Sequence, residues 1–407
     1  MTQHTTPHTI QQKTKTSMSQ HPFLYTLRSL TEADIPTWAD FCASCFSYKP
    51  NPPAAEYFSD HFFNDPRRDA KLLCVIKATN AAAAVDKSEC DDNGEEGNAR
   101  IVASTRIFSR KISLGNGKTV EAGGVGEVCT DISHRSKGLA KTLLMDRIEL
   151  MRQMKITCSL LHASPALMNV YERSAEYKSV DSYWKVLAFA RDNIMIGQGC
   201  VHAVPRGMEV RLASFPNDTC QLQKIHRKYS EDRFAGCIIR SVDYWNEYIS
   251  NEIGDSLFVL HTKENKIIAW MAIRKRSNKR FQLRDFGCCR EACAETSVTI
   301  SIAFSILAKI TLKIYSSDDL EQDLEFSIPL GVYKDLESGE MCNGNSKFLE
   351  WAESVSDECD CGWMYKNLES VCDYGGANND KAEAGVDMPH IVNEMKTPHL
   401  IWPVDSF

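Results

Sequence analysis

The stretch Glu121 to Leu144, EAGGVGEVCTDISHRSKGLAKTLL, decides how the rest of the chain is read. A run of small and apolar residues from Ala122 to Cys129 has the composition of a buried strand. It leads into a short polar turn, Arg135-Ser136-Lys137-Gly138-Leu139-Ala140. The turn opens into an amphipathic helix whose Ala140, Leu144, Ile148 and Met151 share one face. Strand, glycine turn and helix start in that order leave a fan of free backbone N–H groups beside the cations Arg135 and Lys137. Such a fan is a site for an anion, a pyrophosphate for example. Gly138 has no Cβ to block close approach of a ligand to the backbone.

Working outward, the flanking patterns predict an α/β unit with a mixed sheet. Leu24 to Arg28 reads as a strand, and Thr31 with Asp34 opens a helix through Trp38 and Cys42. A second helix follows Pro52-Pro53, then an apolar strand at Leu72 to Ile76. The tract from Asn80 to Asn98, rich in Ala, Asp, Glu and Gly, reads as an insertion at a hairpin tip. Beyond it come a returning strand, a turn at Asn116-Gly117 and the strand of the opening stretch. Downstream, Ile156 to His162 reads as a strand, Pro165 to Arg173 as a helix and Tyr183 to Ala190 as a strand. The predicted order is β-α-α-β-β-β-α-β-α-β.

After Val204-Pro205-Arg206-Gly207 the β-α-α-β-β-β opening recurs, from the strand at Met208 to the strand ending at Phe286. No Arg-x-x-Gly-x-Ala turn follows, so this second copy is not expected to bind the same ligand. The expected division is a disordered tail over 1–22, a first domain over 23–190 with its insertion at 80–99, a second over 205–290 and a C-terminal domain over 291–407. A chain of 407 residues fits two or three domains.

The net charge of −7 argues against a nucleic-acid partner, which would call for basic patches. The N-terminal segment has no apolar core of a signal peptide, so the 16 cysteines are expected to be reduced thiols of a cytosolic protein. Their spacings do not match structural zinc sites, and no metal is expected. The longest apolar run, Ser297 to Ile314, is broken by Lys309 and Lys313 and falls short of a membrane span.

Arg135 to Ala140 matches the phosphate-binding signature Arg/Gln-x-x-Gly-x-Gly/Ala, and the first domain resembles the GNAT superfamily of N-acetyltransferases. Leu161-His162-Ala163-Ser164 followed by Tyr171 resembles, more narrowly, the enhanced-intracellular-survival (Eis) type. Two positions differ from that pattern: Ile132 stands where Pro is usual, and no Gly–aromatic pair follows Tyr171. The resemblance implies a catalytic acetyltransferase domain, a degenerate second copy and a smaller C-terminal domain of sterol-carrier type. It also implies assembly, so a homo-oligomer is expected.

The implied cofactor is acetyl-CoA, used as co-substrate, and the implied acceptor is a primary amine: lysine-like, a polyamine or another cationic amine. The pyrophosphate would lie on the turn, from Arg135 through Ser136, Lys137, Gly138, Leu139 and Ala140 to Lys141, and Ser164 is also expected to bind the cofactor. Pantetheine would add to the edge of the strand at Val128, Cys129 and Thr130, where a backbone N–H can polarise the thioester carbonyl. An amine with a pKa of about 10.4 must lose its proton to attack, so a base is useful. The resemblance implies the Phe407 carboxylate, carried on the apolar tail Leu400 to Val404. Glu127, on the strand beside the cofactor, is the competing base. Tyr171 is the implied acid for the departing thiolate, with Tyr177 as fallback. The alternative is a CoA- or lipid-binding interaction protein on the same scaffold. Its discriminating feature is the missing Gly after Tyr171.

Overall fold

The computed structural model describes residues 9–10, 23–80, 99–190, 204–277, 279–315, 323–338, 347–368, 386–393 and 395–405. The insertion and the expected disordered tail lie outside these residues, apart from their edges and the short strand Thr9–Ile10.

Among the described residues, sixteen strands build two sheets. In chain order they are β1 (Thr9–Ile10), β2 (Phe23–Ser29), β3 (Leu73–Asn80), β4 (Arg100–Gly115), β5 (Lys118–Thr130), β6 (Cys158–His162), β7 (Lys178–Ser179) and β8 (Ser182–Phe189), followed by β9 (Met208–Leu212), β10 (Ala235–Ile238), β11 (Phe258–Thr262), β12 (Ile267–Lys275), β13 (Arg280–Cys288), β14 (Leu324–Pro329), β15 (Ser354–Asp360) and β16 (Trp363–Asn367). The first sheet has nine strands in the order β1-β2-β3-β4-β5-β6-β16-β7, with β10 pairing on β4. The second has seven, in the order β15-β8-β14-β13-β12-β11-β9. The run β2-β3-β4-β5 in one sheet is matched by β9-β11-β12-β13 in the other, the spatial form of the repeated sequence pattern.

β5 is the strand of the opening stretch. Its small residues are explained by the helix packed on it, Leu139–Gln153, whose Leu144, Ile148 and Met151 are buried. A Cβ on Gly123 would lie 2.2 Å from the Met151 sulfur, so the helix sits this low only because the strand has no side chain there. Burying each of those apolar side chains is worth about 1.5–3 kcal/mol.

Two placements differ from the sequence reading. β8, expected as the closing strand of the first unit, lies in the second sheet between β14 and β15. Its place beside β6 is taken by β16, which pairs antiparallel with β6 from Trp363↔His162 to Asn367↔Cys158. The strands beyond residue 290 thus add to the two sheets, and among the described residues they form no third one. The physical reason is burial: Trp184, Leu187 and Phe189 of β8 are buried, and Phe189 packs 5.2 Å from Phe348 of the later chain. One core cluster accordingly runs across both halves, from Ile112, Ala122 and Leu160 to Tyr229, Trp245 and Trp270.

The tail docks in that core. Leu400, Ile401, Trp402 and Val404 are buried. The Leu400 N–H donates to the Ala235 carbonyl of β10 (3.0 Å), and Trp402 Nε1 donates to Ser230 Oγ (3.0 Å). Among the described residues no single helix is long and apolar enough to cross a membrane. The helix Ile300–Tyr315 packs on β12 with Phe304, Leu307 and Leu312 buried.

Candidate functional site

β5 and β6 run parallel and pair only from Ala122↔Cys158 to Gly124↔Leu160, then part. On the other side of β5 the ladder to β4 slips: Gly126 faces Arg106 and Cys129 faces Ser104, so Glu127 and Val128 together oppose Thr105. Glu127 takes the left-handed conformation (φ 53°) that such a bulge requires. Splay and bulge together leave the edge of Val128 to Thr130 open toward the turn.

The turn itself alternates hand. Ser136 (φ 60°) and Gly138 (φ 78°) are both left-handed, and Gly138 is the N-cap of the helix Leu139–Gln153. Successive backbone N–H groups in such a sequence converge into a concavity for anions. Among the described residues, none of the N–H groups of Ser136, Lys137, Gly138, Leu139, Ala140 and Lys141 has an acceptor within the protein. Helix termini leave such donors open, and the dipole adds partial positive charge.

Strand edge and turn line one cavity of about 710 Å³. Of the residues singled out in the sequence, Val128, Cys129, Thr130, Arg135, Ser136, Gly138, Leu139, Ala140, Lys141, Ser164 and Tyr171 line it. Lys137 does not line it; its ammonium rests over the Phe23 ring at 5.3 Å. Arg135 turns back, its Nε donating to the Thr130 carbonyl at 3.2 Å. Residues that sequence reasoning missed complete the wall: Cys45, Phe46 and Tyr48 at the end of the helix Ile35–Phe46, His134, Leu167 and Val170. Leu167 and Val170 are exposed apolar residues on the helix Pro165–Ala175, which is the signal that could have found them. His134 is held between Tyr25 Oη (3.0 Å) and the Arg100 guanidinium (3.2 Å). Burial, Lys137 and Arg100 push its pKa down, so it is neutral at pH 7.

Tyr171 is half-buried, with no hydrogen-bond partner for its hydroxyl among the described residues. Burial pushes its phenol up to about 12, so it enters any reaction protonated. Tyr177 is withdrawn into the core with its hydroxyl 2.6 Å from Ser159 Oγ. The Cys129 thiol is pushed well above its ordinary value by its contact with Cys42 (3.9 Å) and by burial, the reverse of what a nucleophilic thiolate needs.

Glu127 does not line this cavity. Its carboxylate lies in a buried polar cluster of the neighbouring wall. Oε1 is 3.2 Å from His61 Nδ1 and 3.6 Å from Arg106 Nη1, while Oε2 is buried with no partner. Arg106 continues to Asp65 (3.1 Å), which also holds Arg110 (3.0 Å). Burial alone would raise Asp65, but Arg110 and Arg106 hold it below the usual carboxylate range. Phe407 lies outside the described residues; the tail leading to it is buried through Asp405. Among the described residues no group of three His, Cys, Asp or Glu side chains could hold a metal ion.

Comparison with known proteins shows what this geometry is similar to. Residues 26–175 match the model of the Acetyltransferase (GNAT) domain, and that stretch has the GNAT fold. Solved structures agree on the fold. A probable N-acyltransferase from Enterococcus faecalis V583 is similar at 10% identity and a TM-score of 0.56, over 85% of this chain and 73% of that one. A GCN5-related N-acetyltransferase from Anabaena variabilis is similar at 13% identity and a TM-score of 0.52, with the same coverage. The N-myristoyltransferase of Saccharomyces cerevisiae, solved with bound myristoyl-CoA, reaches a TM-score of 0.50 at 10% identity over 89% of this chain and 84% of that one. No curated protein matches the sequence. The open turn and the splayed strand both lie in or beside the stretch that the GNAT model covers.

Proposed function

We propose that the protein is an acetyl-CoA-dependent N-acetyltransferase that moves acetyl directly to a primary amine of lysine-like, polyamine or other cationic type. The observation that carries this reading is the set of open N–H groups at 136–141 on the same cavity as the open edge of β5. One end of that cavity suits a pyrophosphate and the other suits pantetheine paired to a strand. Leu161-His162-Ala163-Ser164 and Tyr171 carry the finer reading, an Eis-type enzyme.

In this mechanism the thioester lies along Val128 to Thr130, where a backbone N–H polarises its carbonyl. A neutral amine attacks, and its proton passes to a carboxylate as the tetrahedral intermediate forms. The C–S bond then breaks, and the Tyr171 phenol protonates the departing thiolate. Of the candidate bases, Glu127 has the stronger support, because its Oε2 is buried and unpartnered beside the bulge. The Phe407 carboxylate is the second reading, favoured by a tail buried as far as Asp405.

The test is thiol release from acetyl-CoA with n-butylamine, lysine amide and spermidine, with products weighed by mass spectrometry. Acetylated amine is the expected result. Tight acetyl-CoA binding without turnover on any amine would favour the CoA-binding interaction protein instead. A short C-terminal tag separates the bases, since unchanged turnover with the tag removes Phe407 from the mechanism.

A further inference from the structure

The buried cluster behind Glu127 joins the two halves of the chain. His61, on the helix Ala55–Phe63, is 4% exposed and uses both ring nitrogens. Nδ1 is 3.2 Å from Glu127 Oε1, and Nε2 is 2.7 Å from Tyr248 Oη. Tyr248 belongs to the second half, on the π-helical segment Tyr244–Ile249. The wider turn of that segment stacks Tyr244 on Tyr248 (4.9 Å, 22°) and lays both rings against Arg110. Tyr57 stacks on the imidazole (5.5 Å, 18°). The ring is thus fixed by a stacked aromatic and at both nitrogens.

The hydrogens can be assigned from chemistry. A carboxylate only accepts, so Nδ1 carries the proton facing Glu127. In the neutral ring Nε2 is then an acceptor, and the Tyr248 hydroxyl must donate to it. Burial holds the Tyr248 phenol well above its ordinary value, which keeps that donor present. The charged groups around the carboxylate are Arg106, paired on through Asp65 to Arg110; His61, Tyr57, Cys42 and Cys129 are the other titratable neighbours.

We infer that His61 is a positioning residue for Glu127: with Arg106 it immobilises Oε1, leaves the buried Oε2 as the unpaired, proton-accepting oxygen, and is itself held in the Nδ1–H tautomer by Tyr248 from the second half. The second copy of the fold then serves catalysis through this contact. This inference rests on the reading of Glu127 as base.

The experiment measures kcat and KM for acetyl-CoA and n-butylamine in the full chain. His61→Ala should lower kcat about 10²-fold, the loss that a misplaced catalytic group produces, with acetyl-CoA affinity unchanged. His61→Asn places an amide N–H where Nδ1 was and should recover most of that loss. His61→Gln, equal in polarity but reaching toward the Tyr248 side, should not. Tyr248→Phe should lower kcat about tenfold by leaving Nε2 unpaired. If His61→Ala fails to fold, the Asn and Gln pair decides alone. Equal kcat for Asn and Gln, or wild-type kcat in His61→Ala, overturns the inference. Glu127→Gln at the wild-type rate overturns instead the reading on which it rests, and wild-type protein inactive on all three amines overturns the proposed function with it.

Discussion

The two halves share a strand order and differ in what they do with the carboxylate at the bulge of their central strand. In the first half Glu127 sits in the bulge of β5 with one oxygen held and the other buried and unpaired. In the second, the ladder between β12 and β13 slips where Ala272 faces Asp285 and Ile273 faces Leu283. Asp285 lies beside that slip with both oxygens used. Oδ2 accepts from Arg240 Nη1 at 2.7 Å, and Oδ1 accepts from the Phe286 N–H at 2.9 Å. Arg240 also holds Asp405 of the tail through Nη2 at 2.7 Å, and all three side chains are fully buried. The strand after the bulge differs as well. β5 opens into a turn with free donors, whereas β13 passes through Cys289 straight into the helix Arg290–Thr296. One scaffold thus leaves a buried carboxylate oxygen unpaired in one copy and pairs both carboxylate oxygens of its counterpart in the other.

The sharpest way to break this comparison is to mutate each carboxylate system in turn. Glu127→Gln should lower turnover by roughly 10²–10⁴-fold, the range for a lost general base, with acetyl-CoA affinity and melting temperature unchanged. Arg240→Leu should do the opposite. Removing the partner of buried charges costs about 3–5 kcal/mol, so the melting temperature should fall steeply while acetyl-CoA still binds below the melting range. A stable Arg240→Leu protein, or a Glu127→Gln protein that melts early, would erase the distinction between a half-paired and a fully paired carboxylate.

A smaller effect concerns pH. The folded-state pKa of Asp65 is lowered, because Arg110 and Arg106 outweigh its burial. Its stabilisation is therefore fully present above the unfolded carboxylate value of about 3.9 and is lost as pH falls through the folded value. Melting temperature should drop on acidification through that window, and Asp65→Asn should melt lower at neutral pH with a flatter acid dependence. An equally steep acid dependence in Asp65→Asn would assign the acid sensitivity to other carboxylates.

What could be read in the sequence follows from the range of the interactions involved. The order of β2 to β6, the helix faces and the glycine turn were all legible, because each rests on contacts within a few residues or on a short period. The open donors at 136–141 were legible for the same reason. The pairing of β16 with β6 joins strands some 200 residues apart, and no local pattern carries it. β15, SVSDECD, is an edge strand too polar to register as one. His61 was missed although it touches Glu127, since on its helix it reads as one of several polar residues interleaved with aromatics. Only the fold brings Tyr248, 187 positions away, to its other nitrogen.

The smallest expected effect tests the open half directly. Gly138 is left-handed, and a Cβ built on it would meet no protein atom within 4 Å. Within the protein, a side chain there adds only the strain of a left-handed non-glycine residue, about 1–2 kcal/mol. If the concavity is where the pyrophosphate lies, the same side chain stands between the ligand and the N–H groups around it. Gly138→Val should therefore weaken acetyl-CoA about tenfold or more by titration calorimetry, beyond its modest loss of stability. Dephospho-CoA and acetyl-CoA should lose affinity alike, because both keep the pyrophosphate. Pantetheine, which lacks it, should bind the variant as it binds the wild type. Equal losses for pantetheine and acetyl-CoA would mean that the introduced side chain distorts the strand edge of β5, and the anion site would have to be sought elsewhere on the cavity wall.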